Sequence, residues 1–98
     1  MYYKTYERRT GLVLAVCDRE ICGKKLKGEK NEFFVNPRFY KGEEGDEAGI
    51  ISLLQQAINI NLVGKRAVQC GIKAGIVDPT KIVRIQGVPH AQVVVMTI

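Results

Sequence analysis

Residues 83–98 read VRIQGVPHAQVVVMTI, and the fold is decided by how this stretch is taken. It reads as two β-branched strands joined at Gly87-Val88-Pro89. Residues 81–86 alternate, with Val83 and Ile85 on one face and Ile82, Arg84 and Gln86 on the other, because successive side chains of a strand point to opposite sides. Gly87 supplies a permissive backbone. Pro89 has a fixed φ and no N–H, which suits a connection or a strand's first residue. Residues 93–96 do not alternate. Val93 and Val95 face one way, Val94 and Met96 the other, and a strand apolar on both faces belongs inside a covered sheet.

Working outward from this hairpin, the remaining segments sort by pattern. Residues 2–7 (YYKTYE) are aromatic and Thr-bearing, a strand composition. Arg8-Arg9-Thr10-Gly11 turns the chain into residues 12–17 (LVLAVC), again apolar on both faces. Asp18 is placed to cap a single helical turn that Gly23 terminates. Residues 24–30 (KKLKGEK) read as a loop and residues 32–35 (EFFV) as a third strand, ended by Asn36-Pro37. Residues 42–45 read as another loop.

Asp46 is the N-cap of a first helix, with Glu47 favourably placed in its first turn. Ile50, Ile51, Leu54, Ala57 and Ile58 fall at helical spacing and form its buried stripe. Asn59-Ile60-Asn61 breaks that helix, and Asn61 caps a second one running to about residue 74, with Gly75 as its left-handed terminator. Gly64, Ala67, Gly71 and Ala74 put small residues near one face of that second helix. Asp78-Pro79 then leads into the C-terminal hairpin.

The expectation is therefore one α+β domain over residues 1–98, with about five antiparallel strands and two helices in the order β-β-β-α-α-β-β. Two helices do not account for the strands that are apolar on both faces. Either the sheet curls on itself, the preferred reading, or another subunit covers its second face.

Length, charge and cysteine content narrow the function classes. A chain of 98 residues buries roughly two-thirds of its unfolded surface and closes a core without metal or disulfide staples. No run is apolar enough to span a bilayer and no leader opens the chain, so a cytoplasmic protein without membrane contact is expected. Three cysteines, Cys17, Cys22 and Cys70, with no CxxC pair, argue against a disulfide framework or a zinc ribbon. Neither a GxGxxG nor a Walker pattern is present. With one histidine and two nearby cysteines there is no closed metal site, and no metal or other cofactor is expected. The net charge of +5 is unevenly distributed. Residues 1–41 hold ten bases against five acids, residues 42–61 hold four acids and no base, and residues 62–98 hold five bases against one acid.

Four strings, LAVCDREICGKKLK, NEFFVNPRFYKG, NLVGKRAVQCGIKAGIVDP and RIQGVPHAQVV, resemble the archaeal family called "domain of unknown function 424". The similarity runs over nearly the whole chain, and NLVG and GVPHAQ are its most specific parts. The resemblance implies an archaeal, cytoplasmic, single-domain protein. It brings no catalytic residues to carry over.

Two constellations could carry function. Tyr2, Lys4, Tyr6 and Arg8 share a face at period two, where aromatic rings stack bases and cations meet phosphates. Arg9, Lys24 and Lys25 extend this basic set, and Lys65-Arg66 open the second helix, whose free N–H groups attract phosphate. This pattern points to a partner such as structured RNA or a ribosome-associated complex. The other reading is a protein–protein adaptor or homo-oligomer joined through the doubly apolar strands. The second constellation is a polar cluster of Asn61, Gly64, His90 and Gln92, with Cys17 and Asp18 nearby. Cys17 and His90 outline a thiol nucleophile with its base, the third reading. Against it, a free cysteine is most often simply buried.

Overall fold

A computed structural model describes residues 1–95, and the expectation for Met96 lies outside the described residues. The chain begins as anticipated, with strands β1 (Tyr2–Arg8) and β2 (Gly11–Cys17) forming an antiparallel hairpin. Between β2 and the next long element the sequence reading needs correction. Residues 24–30 are not a loop: β3 (Lys25–Lys27) pairs antiparallel with β4 (Glu32–Phe34) as a separate two-stranded sheet. Polar composition hid β3, because only Leu26 of its three residues points inward. Asn36 then caps a one-turn helix, α1 (Pro37–Tyr40), by accepting from the Arg38 N–H at 3.0 Å. Pro37 suits the first helical position because its missing N–H is not needed there. The expected loop at residues 42–45 holds a short strand, β5 (Glu43–Glu44), paired with β1.

Helix α2 (Glu47–Leu54) starts where Asp46 predicts, its carboxylate accepting from the Gly49 N–H at 2.8 Å. It stops at Leu54. Ala57 and Ile58, which prolonged its apolar stripe on paper, instead begin strand β6 (Ala57–Val63). Within AININLV, Ile60 and Leu62 are buried on one face while Asn59 and Asn61 look to the other. That is the period of two that a strand requires. Asn61 therefore sits in mid-strand and caps nothing. Gly64, at φ +110°, makes the turn into α3 (Lys65–Lys73), and Gly75, at φ +76°, ends it as expected.

The final hairpin is β7 (Val83–Ile85) and β8 (Val88–Val94). Its turn is Gln86-Gly87, both at positive φ, so Val88 and Pro89 belong to the strand. Pro89 is tolerated there because it faces Gly64, beyond the end of β6, whose carbonyl already accepts from the Val68 N–H and needs no donor from Pro89, while the Pro89 carbonyl accepts from the Gly64 N–H at 2.9 Å.

The main sheet runs β5-β1-β2-β6-β8-β7. It is mixed, since β2 and β6 lie parallel at its centre while the other pairs are antiparallel. A parallel pair needs a crossover, and the segment carrying α2 provides it. Helices α2 and α3 cover one face over Leu14, Val16, Ile60 and Leu62. A side chain at Gly71 would meet Val77 and Leu62 within 2.6 Å, so glycine there lets α3 approach the sheet. The other face packs Ala15, Cys17 and Val63 under Leu26, Val35 and Tyr40. The sheet thus neither curls on itself nor borrows a subunit for this cover. Residues 19–41 of the same chain close the second face over its upper part. Val94 and Val95, expected in a covered mid-sheet strand, are 61% and 40% exposed, because β7 is too short to flank them.

Candidate functional site

Strand register aligns the side chains of the hairpin-covered face into rows. One row is Tyr2, Cys17, Val63, His90 and Val83, the next Lys4, Ala15, Asn61 and Gln92, and the third Tyr6, Val13, Asn59 and Val94. The polar cluster read from sequence is therefore partly assembled. Asn61 and Gln92 are cross-strand partners and His90 is one row away. Gly64 lies beyond the strand's end and joins the cluster only through its N–H on Pro89.

At the centre of this face stands a group that sequence reasoning missed in part. The Tyr40 hydroxyl donates to Asn61 Oδ1 at 2.7 Å, and His90 Nε2 lies 3.1 Å from the same oxygen. An amide oxygen only accepts, so His90 carries its proton on Nε2. Phe33 packs against the His90 ring at 5.0 Å between centroids. Burial pushes the Tyr40 hydroxyl above its ordinary range and holds His90 below its own, so the imidazole is neutral at pH 7. Tyr40 reaches Asn61 only because the one-turn α1 swings it over the sheet, and nothing in PRFY announces that. Beside His90 opens a cleft of about 550 Å³, lined in part by Lys30, Phe33, Arg84 and Ile85.

Cys17 occupies the core under this cover. Burial and the neighbouring Cys22 push its thiol up to about 12, so it stays protonated and unreactive at neutral pH. Among the described residues it makes no hydrogen bond to His90, and the outline of a thiol nucleophile is not assembled. Nor, among the described residues, do three His, Cys, Asp or Glu side chains gather to hold a metal ion.

Asp18, expected to cap the turn that follows it, makes no such bond. Its carboxylate instead accepts from the Arg66 and Ala67 N–H groups at 3.0 and 2.8 Å, capping α3 from across the fold. The N–H groups proposed for phosphate are thus occupied. Gly64 is required beside this cap, since a Cβ there would lie within 2.7 Å of the Asp18 side chain.

The basic set divides in two. Lys4 and Arg8 stand over the Tyr6 ring at 5.6 and 5.4 Å, and Lys41 stands over Tyr2 at 5.3 Å. Tyr6 is stacked on Phe39 at 5.5 Å and its hydroxyl donates to the Phe39 carbonyl. One face of that half-buried ring is thus taken by Phe39, and two cations stand within 6 Å of its centre. Tyr6 therefore also supports the cations beside it. Lys4 also donates to the Arg38 carbonyl at 2.9 Å. Arg9, Lys24 and Lys25 are exposed. Lys65 and Arg66 are exposed too, but they lie at the start of α3, where Arg66 shares a concavity with Glu44 and Asp46. They do not join the group on β1.

The chain belongs to the family described as "Protein of unknown function (DUF424)", whose model matches residues 6–96. Among curated proteins none matches. A crystal structure of an uncharacterized conserved protein from Methanopyrus kandleri is similar, with a TM-score of 0.79 and 23% identity over 98% of this chain and 93% of that one. At that identity the likeness establishes the shared fold. Among the described residues no helix is long and apolar enough to cross a membrane.

Proposed function

We propose that the protein binds structured RNA, or the RNA surface of a ribonucleoprotein such as a ribosome-associated complex, in the cytoplasm. The contact surface is the hairpin-covered side of the sheet. The observation that supports this reading is the row of Lys4, Arg8 and Lys41 held over tyrosine rings with Arg38 beside them. Among the described residues the ion pairs are Arg19–Glu44 and Lys73–Glu47, so no carboxylate neutralises these cations. Lysine and arginine left unpaired on an aromatic ridge suit a polyanion whose phosphates release counterions on binding. Arg9, Lys24 and Lys25 extend the surface. Lys65 and Arg66 contribute through long-range attraction only, since acidic groups surround them.

Fluorescence anisotropy with a mixed-sequence RNA hairpin tests the reading. Four phosphate contacts give a slope of log affinity against log salt of about −3 to −4. The double variant Lys4→Glu/Arg8→Glu weakens binding at least tenfold, and Lys65→Glu changes it less. No binding at low salt, or binding indifferent to Lys4 and Arg8, would contradict the proposal.

One observation favours a second reading, self-association or an adaptor role. Val83, Val94 and Val95 are exposed where β7 stops short of covering β8, and an open apolar strand edge invites another strand. Sedimentation decides it: a dimer that persists in high salt and is lost in Val94→Lys supports this reading.

A further inference from the structure

The cover on the second face of the sheet stops partway along the strands. Past Tyr40 and Phe39 the floor of the sheet is open, and its side chains are unlike those of the helix-covered face. Row by row they are Asn61 and Gln92, then Val13, Asn59 and Val94, with Arg8 at the β1 edge. Gln92, Arg8 and Val94 are exposed, and Asn59, Asn61 and Val13 are half-buried. The inward-looking positions of β1, β2, β6 and β8 on this face include no carboxylate.

The Asn61 amide has a fixed orientation. Tyr40 and His90 both hold its oxygen, which turns its NH₂ group outward. No buried side-chain polar atom among the described residues lacks a partner. Since the Asn61 Nδ2 group has none there, it reaches solvent. Asn59 and Gln92 likewise keep both amide donor and acceptor free of intramolecular bonds among the described residues.

We propose that this open half of the sheet takes an unpaired run of nucleotides, with base edges on the amides of Asn59, Asn61 and Gln92 and phosphates on Arg8 and Lys4. The inference rests on the RNA-binding reading above and specifies which part of an RNA is bound. Side-chain amides offer a donor and an acceptor together, the pattern a base edge complements. Short side chains on a sheet floor, below the ledge formed by Phe39 and Tyr40, do not reach into an A-form duplex, whose major groove is deep and narrow. Unstacked bases do reach such a floor. The alkyl groups of Val13 and Val94 flank Asn59 on either side and supply apolar contact for base faces. The distance from β1 to β8 is three strand spacings, about 14 Å, room for about two or three nucleotides.

The test compares a mixed-sequence single-stranded RNA with a blunt duplex of the same length and salt, by anisotropy on the full chain. The single strand binds about tenfold tighter. Asn59→Ala/Gln92→Ala brings the ratio close to one while leaving the salt slope unchanged, because the phosphate contacts remain. Gln92→Glu, a change at an exposed position that the fold tolerates, lowers single-strand affinity more than duplex affinity. If duplex and single strand bind equally in the parent protein, this inference is overturned and the basic-surface reading stands. If neither RNA binds at low salt, both are overturned. A single-strand preference that survives both variants removes the amides from the site.

Discussion

Two helices close one face of the central sheet, a hairpin and one helical turn close the other, and the two seals use different chemistry. The helix-covered face is apolar across β2, β6 and β8, and Gly71 brings α3 against Leu62 and Val77. The opposite face encloses a phenol, an amide and an imidazole joined at one oxygen, and leaves its lower rows open. Apolar packing tolerates no vacancy, because interiors are as dense as organic crystals. A polar group under a partial cover adds less stability and more orientation. The fold therefore draws its stability mainly from one face and carries its addressable surface on the other.

The sharpest way to break this contrast is Leu62→Ala. Leu62 is fully buried on the helix side, so the substitution loses transfer free energy and leaves a cavity, about 3 kcal/mol in all. Chemical denaturation measures it. RNA binding by the folded fraction remains unchanged, and a loss of affinity matching the loss of stability would mean the two faces do not separate in function.

Asp18→Ala comes next, at about 2 kcal/mol, because it orphans two N–H groups at the start of α3. Asp18→Asn recovers part of that, since one amide oxygen still accepts. Equal loss in both variants would show that the charge, and not the hydrogen bonding, fixes the helix start.

On the hairpin side the effects are smaller. Tyr40→Phe removes one donor to Asn61 and costs about 1 kcal/mol. If the three side chains act together, Tyr40→Phe and His90→Gln combine non-additively in a double-mutant cycle. The Tyr40 variant also frees the Asn61 amide to rotate, and so reduces the preference for single-stranded RNA.

The same contrast explains what the sequence discloses. The β1–β2 hairpin, the Asp46 cap and the Gly75 terminator rest on local physics, period-two patterning and backbone preference, and each is found where it was expected. Strand β6 was obscured because Ala57 and Ile58 continue the 3.6-residue stripe of α2, and a strand of seven residues is short enough for both periods to fit. Asp18 caps α3 and not the turn beside it, which local pattern does not disclose because its partners lie 48 and 49 residues along the chain. The cover over the second face shows one inward leucine among lysines, a pattern indistinguishable from a loop until the sheet beneath it exists. In the candidate site, Asn61, His90 and Gln92 were legible as uncommon polar residues within apolar strands. Tyr40 was not, since its position depends on that same cover. Nor is the stacking of Phe39 on Tyr6 legible, since Phe39 arrives from an unanticipated helical turn.

The smallest effect expected is also the most specific to the polar face. In the unfolded chain the His90 imidazole takes up a proton near pH 6.5, whereas burial holds the native side chain neutral to a lower pH. Between those two points the unfolded state binds more protons, so stability falls as pH falls. The decline begins near 6.5, ends once the native imidazole is also protonated, and is absent at higher pH, where both states are neutral. Asp78, whose carboxyl is held low by hydrogen bonds from Thr80, contributes a decline of the same sign that begins only near 3.8, well below the onset of the histidine step. Denaturation midpoints taken from neutral pH down to about 5 isolate the histidine step. His90→Gln flattens that part of the profile and leaves the Asp78 step in place. A profile unaltered by the substitution would mean that the imidazole titrates alike in both states, and that its bond to Asn61 does not survive in solution.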